Sequence, residues 1–207
     1  MESYITVKQL GEYVFTDRKS EFIGYALPIK NEAEALDFIA SIKKRYPDAR
    51  HWVYAYVLRE NSTMRFTDDR EPQGTAGMPV LDSMRKRNIT DTVVVVVRYF
   101  GGILLGTGGL VHAYTEAAAG ALSAAGIITY DLYSSYEIVA GYSDYQRLTQ
   151  IFDEKGFSVL DTEYSDSVKV FGSLPSANRD DLISALTEAT GARVKVSFME
   201  EKFSFRE

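Results

Sequence analysis

Five consecutive valines, Val93 to Val97, sit inside "TVVVVVRYF". A half-buried strand alternates apolar and polar residues. One that is apolar on both faces must be covered on both. This segment is therefore predicted as the central strand of a sheet with layers on either side. It leads straight into "RYFGGILLGTGGL" and an alanine-rich stretch. Gly106 to Ala125 is predicted as a helix, with Leu110, Ala113, Ala117, Ala121 and Ala125 on one face. A face of such small residues lets a helix come close to a sheet. His112, Glu116, Ala119 and Ser123 form a more polar stripe, and Gly126 is the expected stop.

Around this centre the first part of the chain is predicted as α/β, with a mixed sheet of about four strands. "SEFIGYALPI" is an early strand. Residues 32–46 carry Ala35, Leu36, Ile39 and Ile42 at helical spacing. "HWVYAYVL" is a strand with "TMRF" as its hairpin partner. "PVLDSMRKR" is a helix with Pro79 in its first turn. After "YDLY" the pattern restarts. "YEIVAGY", "SDYQRLTQIFDEKG", "FSVLDTEY", "SVKVFGSL", "RDDLISALTEATG" and "RVKVSFMEE" read as β-α-β-β-α-β, the ferredoxin-like order. Ser143 is the expected N-cap of the first of those helices, and Gly156 and Gly191 are the stops. The whole is predicted to be α+β, with domains at 1–133 and 134–207.

Composition narrows the possibilities. The 207 residues are 45% hydrophobic, enough for a core in each domain, and include no cysteine. That excludes disulfides and thiolate metal sites. No apolar run is long enough for a membrane span. "MESYITVKQLGEYVF" lacks the layout of a secretory signal, so a cytoplasmic location is expected. The net charge of −6 is uneven. Residues 1–133 hold 15 basic and 16 acidic side chains; residues 134–207 hold 8 and 13. No overall basic excess marks a nonspecific nucleic-acid binder. Two basic clusters, Lys43-Lys44-Arg45 with Arg50 and Arg85-Lys86-Arg87, suit helix C-termini.

Two segments could carry chemistry. Gly101, Gly102, Gly106, Gly108 and Gly109 lie between a buried strand and a helix, where backbone N–H groups can cradle an anion. The segment has no P-loop lysine, and Gly106-Thr107-Gly108-Gly109 misses the Rossmann spacing. Tight turns and close packing are the other use for such glycines. The second segment is "DDREPQGTAGMP". Asp68, Asp69 and Glu71 could ligate a divalent cation through oxygen or simply serve as capping groups, and Arg70 can neutralise them. Gly74, Thr75 and Gly77 precede a helix and form a second anion-friendly stretch. His51 and His112 are the only histidines. With no nucleophile motif, a hydrolase triad is unsupported. Trp52, Tyr54, Tyr56, Tyr99, Phe100 and Tyr114 are core by pattern, and any exposed ones could stack on bases.

"DDREPQGTAGMPVL" followed by "VVVVVRYFGGILLGTGGLVHAYTEA" closely resembles the YigZ/IMPACT family, and "RKSEFIGYALPI" and "EALDFIASIKKRYPDARHWVYAYVL" fall in place before them. The resemblance covers essentially the whole chain. It implies an N-terminal fold shared with a ribosomal protein's second domain and with domain IV of elongation factor G. The C-terminal domain resembles domain V of that factor. Eukaryotic members regulate translation through the starvation-responsive initiation-factor kinase pathway. For bacterial members the usual suggestion is a nucleic-acid or ribosome-binding role. This chain departs from the family pattern at Arg70 (usually glycine), Leu104 (usually lysine) and His112 (usually arginine). If the loop grips phosphates, the loss of two positive charges weakens that grip unless Arg70 faces the same groove.

The expectation is a translation-linked regulator with no cofactor and no catalytic constellation. It would bind RNA or the ribosome through a face built from Arg98, Tyr99, the glycine loop and the 68–77 turn. Two alternatives stand beside it: an enzyme acting on a small phosphorylated or nucleotide ligand, and a protein-interaction module.

Overall fold

The computed structural model describes residues 3–205. It divides into two compact units, Tyr4–Thr129 and a second that starts at Tyr130. The boundary read from the sequence lay at 133/134. The strand that crosses this region, β7 (Ile127–Ala140), is continuous. Asp131, Ser134 and Ser135 interrupt its apolar alternation, which hides its first half from a pattern search.

In the first unit the elements are β1 (Tyr4–Val7), β2 (Gly11–Asp17), β3 (Ser20–Pro28), α1 (Glu32–Arg45), β4 (His51–Val57), β5 (Met64–Thr67), α2 (Gly77–Arg85), β6 (Thr92–Tyr99) and α3 (Gly106–Ala125). The sheet order is β2-β3-β6-β4-β5, so the valine strand is central. Val93, Val95 and Val97 pack on α1 through Ala35, Ile39 and Ile42. Val94 and Val96 pack on the opposite side with Val80 and Met84 of α2 and Ala113, Ala117 and Ala121 of α3. The period of two sends alternate valines into two separate cores.

The expected mixed sheet of about four strands is corrected to five strands with every neighbouring pair antiparallel. β3 and β4 are joined through α1 and run the same way. β6 inserts between them in the opposite sense, so the crossover leaves no parallel pair. β2 escaped the sequence reading because its hairpin lacks a glycine signature. Arg18 and Lys19 make the turn, both at positive φ (45° and 65°), where Asn-Gly is the usual choice.

The small-residue face of α3 does bring helix and sheet together. A Cβ built on Gly24 of β3 would stand 2.4 Å from the Ala117 carbonyl oxygen. One on Gly11 of β2 would stand 2.3 Å from the Ala125 nitrogen. Backbone therefore meets backbone, and the buried alanines of α3 fill the remaining space.

The second unit contains most of β7, then α4 (Tyr142–Lys155), β8 (Ser158–Tyr164), β9 (Val168–Pro175), α5 (Arg179–Thr190) and β10 (Lys195–Phe205). Its strands lie in the order β8-β9-β7-β10, all antiparallel, which is the ferredoxin-like arrangement. Ile138, Leu148, Phe152, Val170, Leu174, Leu182 and Leu186 fill its core. Gly156 and Gly191 end the helices in the left-handed conformation, as their positions predict. The expected cap at Ser143 is corrected: the cap lies two residues earlier, at Gly141, and α4 starts at Tyr142. Asp144 in its first turn instead holds the Arg193 guanidinium through two bonds of 2.7 and 3.1 Å. That hydrogen-bonded cation keeps the Asp144 carboxyl below the usual range. Among the described residues, no helix is long and apolar enough to cross a membrane.

Candidate functional site

The 68–77 turn is folded by its own acids. The Asp68 carboxylate accepts from the backbone N–H groups of Gly74, Ala76 and Gly77 at 2.9, 3.1 and 2.8 Å. It thereby closes the loop and caps α2 from outside the helix. Asp69 accepts the Trp52 N–H at 2.7 Å on its carboxylate. Its carbonyl lies 2.8 Å from His51 Nδ1. A carbonyl only accepts, so Nδ1 carries the proton. Asp69 and Arg70 both sit at positive φ, which swings Glu71 inward.

Glu71 is buried. Its Oε1 accepts Arg98 Nη1 at 2.5 Å and the Tyr114 hydroxyl at 2.8 Å, with His51 Nε2 at 3.7 Å. Burial, then the Glu71 charge, pushes the Tyr114 hydroxyl up. The three acids considered as cation ligands are thus engaged by donors of the chain itself. Among the described residues no group of three His, Asp or Glu could hold a metal ion. Thr75 is buried and donates to the Pro72 carbonyl at 2.6 Å. A Cβ on Gly77 would press within 2.4 Å of the Thr67 carbonyl; Gly74 turns at φ 75°. Asp68→Ala is expected to cost about 1–2 kcal/mol through the lost cap. Urea unfolding with the slope unchanged checks it.

The strand end and glycine loop differ from the expected common face. Arg98 is only 4% exposed and its guanidinium lies over the rings of Phe22 and Phe100, 5.3 and 5.6 Å from their centres. Tyr99 points to the other side of the sheet, against the α1 cluster. One residue along a strand reverses the face, so the two cannot share one. Gly101 sits so close to the β2–β3 turn that a Cβ would meet the Lys19 backbone at 2.0 Å. Gly102 and Gly106 turn at φ 83° and 73°. Gly109 packs near Leu105, with room for a Cβ only at 3.1 Å. Phe100, Ile103 and Leu104 stand exposed.

The loop ends at the N-terminus of α3. No side chain caps this helix and its first turn has no acid. Gly106, Thr107 and Gly108 are exposed there. In front lies a pocket of about 370 Å³, whose lining includes Arg50, His51, Arg98, Phe100, Leu104 and Gly106. Arg50, His51 and Arg70 also line an adjoining cavity. Arg70, the departure in the acidic turn, therefore places its charge beside this pocket. Leu104, the other departure, is 80% exposed. The Arg18 guanidinium donates to the Leu104 carbonyl at 3.4 Å. His112 lies on the surface one turn along α3, edge-on to Phe15 at 5.8 Å, and is not among the pocket's lining residues.

The structure thus gathers His51, Glu71, Arg98 and Gly106 on one pocket, with the buried Tyr114 hydroxyl bonded to Glu71. It adds Arg50, which the sequence suggested as a helix-end cation, and Phe100, which it read as core by pattern or, if exposed, as a stacking ring. Arg50 immediately precedes β4, and that position was the available clue.

Among solved structures, a crystal structure described as a hypothetical protein superposes with a TM-score of 0.60 at 28% identity, covering 97% of this chain and 98% of that one. The IMPACT family member YigZ of Escherichia coli is 29% identical over 204 residues, 97% of this chain and all of that protein. The IMPACT family member YvyE of Bacillus subtilis is 38% identical over 170 residues, 82% of this chain and 78% of that protein. Residues 138–193 match a domain of unknown function, DUF1949. Residues 18–122, about half of the chain, match the Impact N-terminal domain, and with these relatives they show that the chain belongs to the IMPACT family.

Proposed function

We propose that this protein is a translation-linked regulator that binds RNA or the ribosome through the face at the N-terminus of α3. The link to translation comes from the resemblance to the eukaryotic members and from the Impact N-terminal domain that this chain shares with its family. The observation that carries the binding face is the set of exposed cations around a bare helix end. Arg50 lines the pocket, Arg70 lines the cavity beside it, and Arg18 reaches the loop that leads into α3. The first domain has almost no net charge, so attraction for phosphate must be local.

The test is co-sedimentation with purified ribosomal subunits at low and moderate salt. Pelleting is expected to fall as salt rises, and to weaken in the exposed-cation variant Arg50→Ala/Arg70→Ala. Pelleting that ignores both salt and the substitutions sinks the proposal. Arg98→Ala does not probe this face, because Arg98 is a buried cation paired with Glu71.

A further inference from the structure

We propose that the outer edge of β5 is a docking site for an extended acidic segment of another protein, which adds to the first domain's sheet as a further strand. This edge and the groove beside it lie at the Val57 end of β4. The pocket before α3 lies at its His51 end, and the two share no lining residue.

β5 is the last strand on its side of the sheet. The Leu58 N–H donates to the Thr63 carbonyl at 2.9 Å, which fixes the alternation of the ladder. The backbones of Thr63, Arg65 and Thr67 face β4, and those of Met64 and Phe66 face outward. Among the described residues neither outward N–H has an acceptor. The Met64 carbonyl takes only the guanidinium of the exposed Arg65, at 3.0 Å. Native proteins normally blunt such an edge, and the second domain does so. β8 and β10 shift register at Leu160 and Met199, and the Asp161 carboxylate occupies the Thr162 N–H at 2.8 Å. β5 pairs without a register shift, and no side chain takes its outward donors.

Side chains and charge define the occupant. Met64 and Phe66 are 43% and 41% exposed. They stand opposite Val57 and Ala55, which belong to the core shared with α2 and α3, so they carry that apolar layer out to solvent. Beside Met64 is an open groove of about 560 Å³, lined by Val57 and Ile89 and by Arg85 and Lys86 at the end of α2. Asp82, the one acid among its lining residues, pairs with Arg85 at 3.3 Å, which leaves Lys86 and the nearby Arg65 in excess. A strand laid on β5 sends alternate side chains to opposite faces. Those beside Met64 and Phe66 meet apolar surface, and those beside Arg65 or near Lys86 meet cations. The segment that fits therefore alternates aliphatic and acidic residues. A second copy of this chain fits badly, because it brings Arg65, Arg85 and Lys86 against their own equivalents.

The test is fluorescence anisotropy of the full chain with a labelled peptide of about ten residues that alternates valine and glutamate. The controls are a valine–lysine peptide and the valine–glutamate peptide N-methylated at alternate residues. The acidic peptide is expected to bind about tenfold or more tightly than the lysine peptide. Met64→Pro removes an outward N–H and leaves the bonds to β4 in place, a change that edge strands accept. It is expected to weaken binding by about tenfold relative to Met64→Ala, which keeps the N–H. N-methylation is expected to do the same on the parent chain, and carries the test alone if Met64→Pro melts well below the parent. Arg65→Glu/Lys86→Glu is expected to weaken binding by about tenfold or more. Arg50→Ala/Arg70→Ala is expected to leave it intact, so this inference and the ribosome reading fail separately. No binding of the acidic peptide overturns the proposal, as does binding that both Met64→Pro and N-methylation leave unchanged. Binding of a single-stranded RNA that is lost in Arg65→Glu/Lys86→Glu but kept in Met64→Pro makes this a nucleic-acid surface and overturns it. A parent chain that dimerises in sedimentation, with a Met64→Pro variant that does not, makes the edge an interface between copies and overturns it too.

Discussion

Arg98→Ala is expected to destabilise the first domain by about 3–5 kcal/mol, the cost of stranding a buried charge. Glu71 is 9% exposed and Arg98 4%. Removing the guanidinium leaves Glu71 with the Tyr114 hydroxyl, and with His51 Nε2 at 3.7 Å. It also removes the cation that lies over the Phe22 and Phe100 rings. The loss is a large part of the 5–15 kcal/mol that a domain normally has. Replacing both partners with apolar residues, Arg98→Met with Glu71→Leu, is expected to recover much of it, since no charge is then left unpaired. Urea unfolding of the two single variants and the double variant closes the cycle. A loss under about 1 kcal/mol in Arg98→Ala would mean that the pair behaves as an exposed one, and the buried network would have to be abandoned.

The second large effect is expected at Gly24. In a strand an alanine is ordinarily better than a glycine by about 0.5–1 kcal/mol. Here its Cβ would stand 2.4 Å from the Ala117 carbonyl oxygen and 3.2 Å from the Ala121 Cβ. The first of these is helix backbone and cannot rotate away, so α3 must lift from β3. Overpacking of this kind costs about 1–3 kcal/mol, and a backbone obstacle puts Gly24→Ala at the upper end of that range. The packing term exceeds the propensity gain and sets the sign. Thermal unfolding decides it: a melting temperature at or above the parent's would show that the helix is not seated so closely.

Gly108→Ala, in the first turn of α3, is expected to carry the opposite sign, a gain of under about 1 kcal/mol, for one reason. Gly24 and Gly108 are both glycines at ordinary φ, one below α3 and one at its start. Backbone lies against the first and open space against the second. The sequence shows two glycines and cannot tell these cases apart.

Much of the architecture was legible. A valine run has one stable place, between two apolar layers, and β6 occupies it. The helical spacing from Leu110 to Ala125 marks the buried face of α3, and stops at Gly156 and Gly191 delimit the second domain's helices. Each of these follows from local periodicity or from the backbone freedom of a single residue. The hairpin at Arg18-Lys19 was not legible, because its two left-handed residues carry no glycine and are held by the pairing of β2 with β3.

For the candidate site the division is sharper. Alternation from Val94 and Val96 places Arg98 on the α3 face of the sheet, and Tyr99 on the other. Nothing in that alternation names Glu71 as its partner, 27 positions away, or brings the Tyr114 hydroxyl to the same oxygen, 43 positions away. Asp68 and Asp69 read in sequence as capping groups, with cation ligation the lesser alternative, and only the fold shows loop amides on the first and the Trp52 backbone N–H on the second. The sequence by itself determined the layers, the central strand and the buried helix face, because period and side-chain size act locally. Only the tertiary structure decided which charges are spent inside the protein and which remain for a ligand, because a charge is settled by whatever donor distant segments bring within about 3 Å.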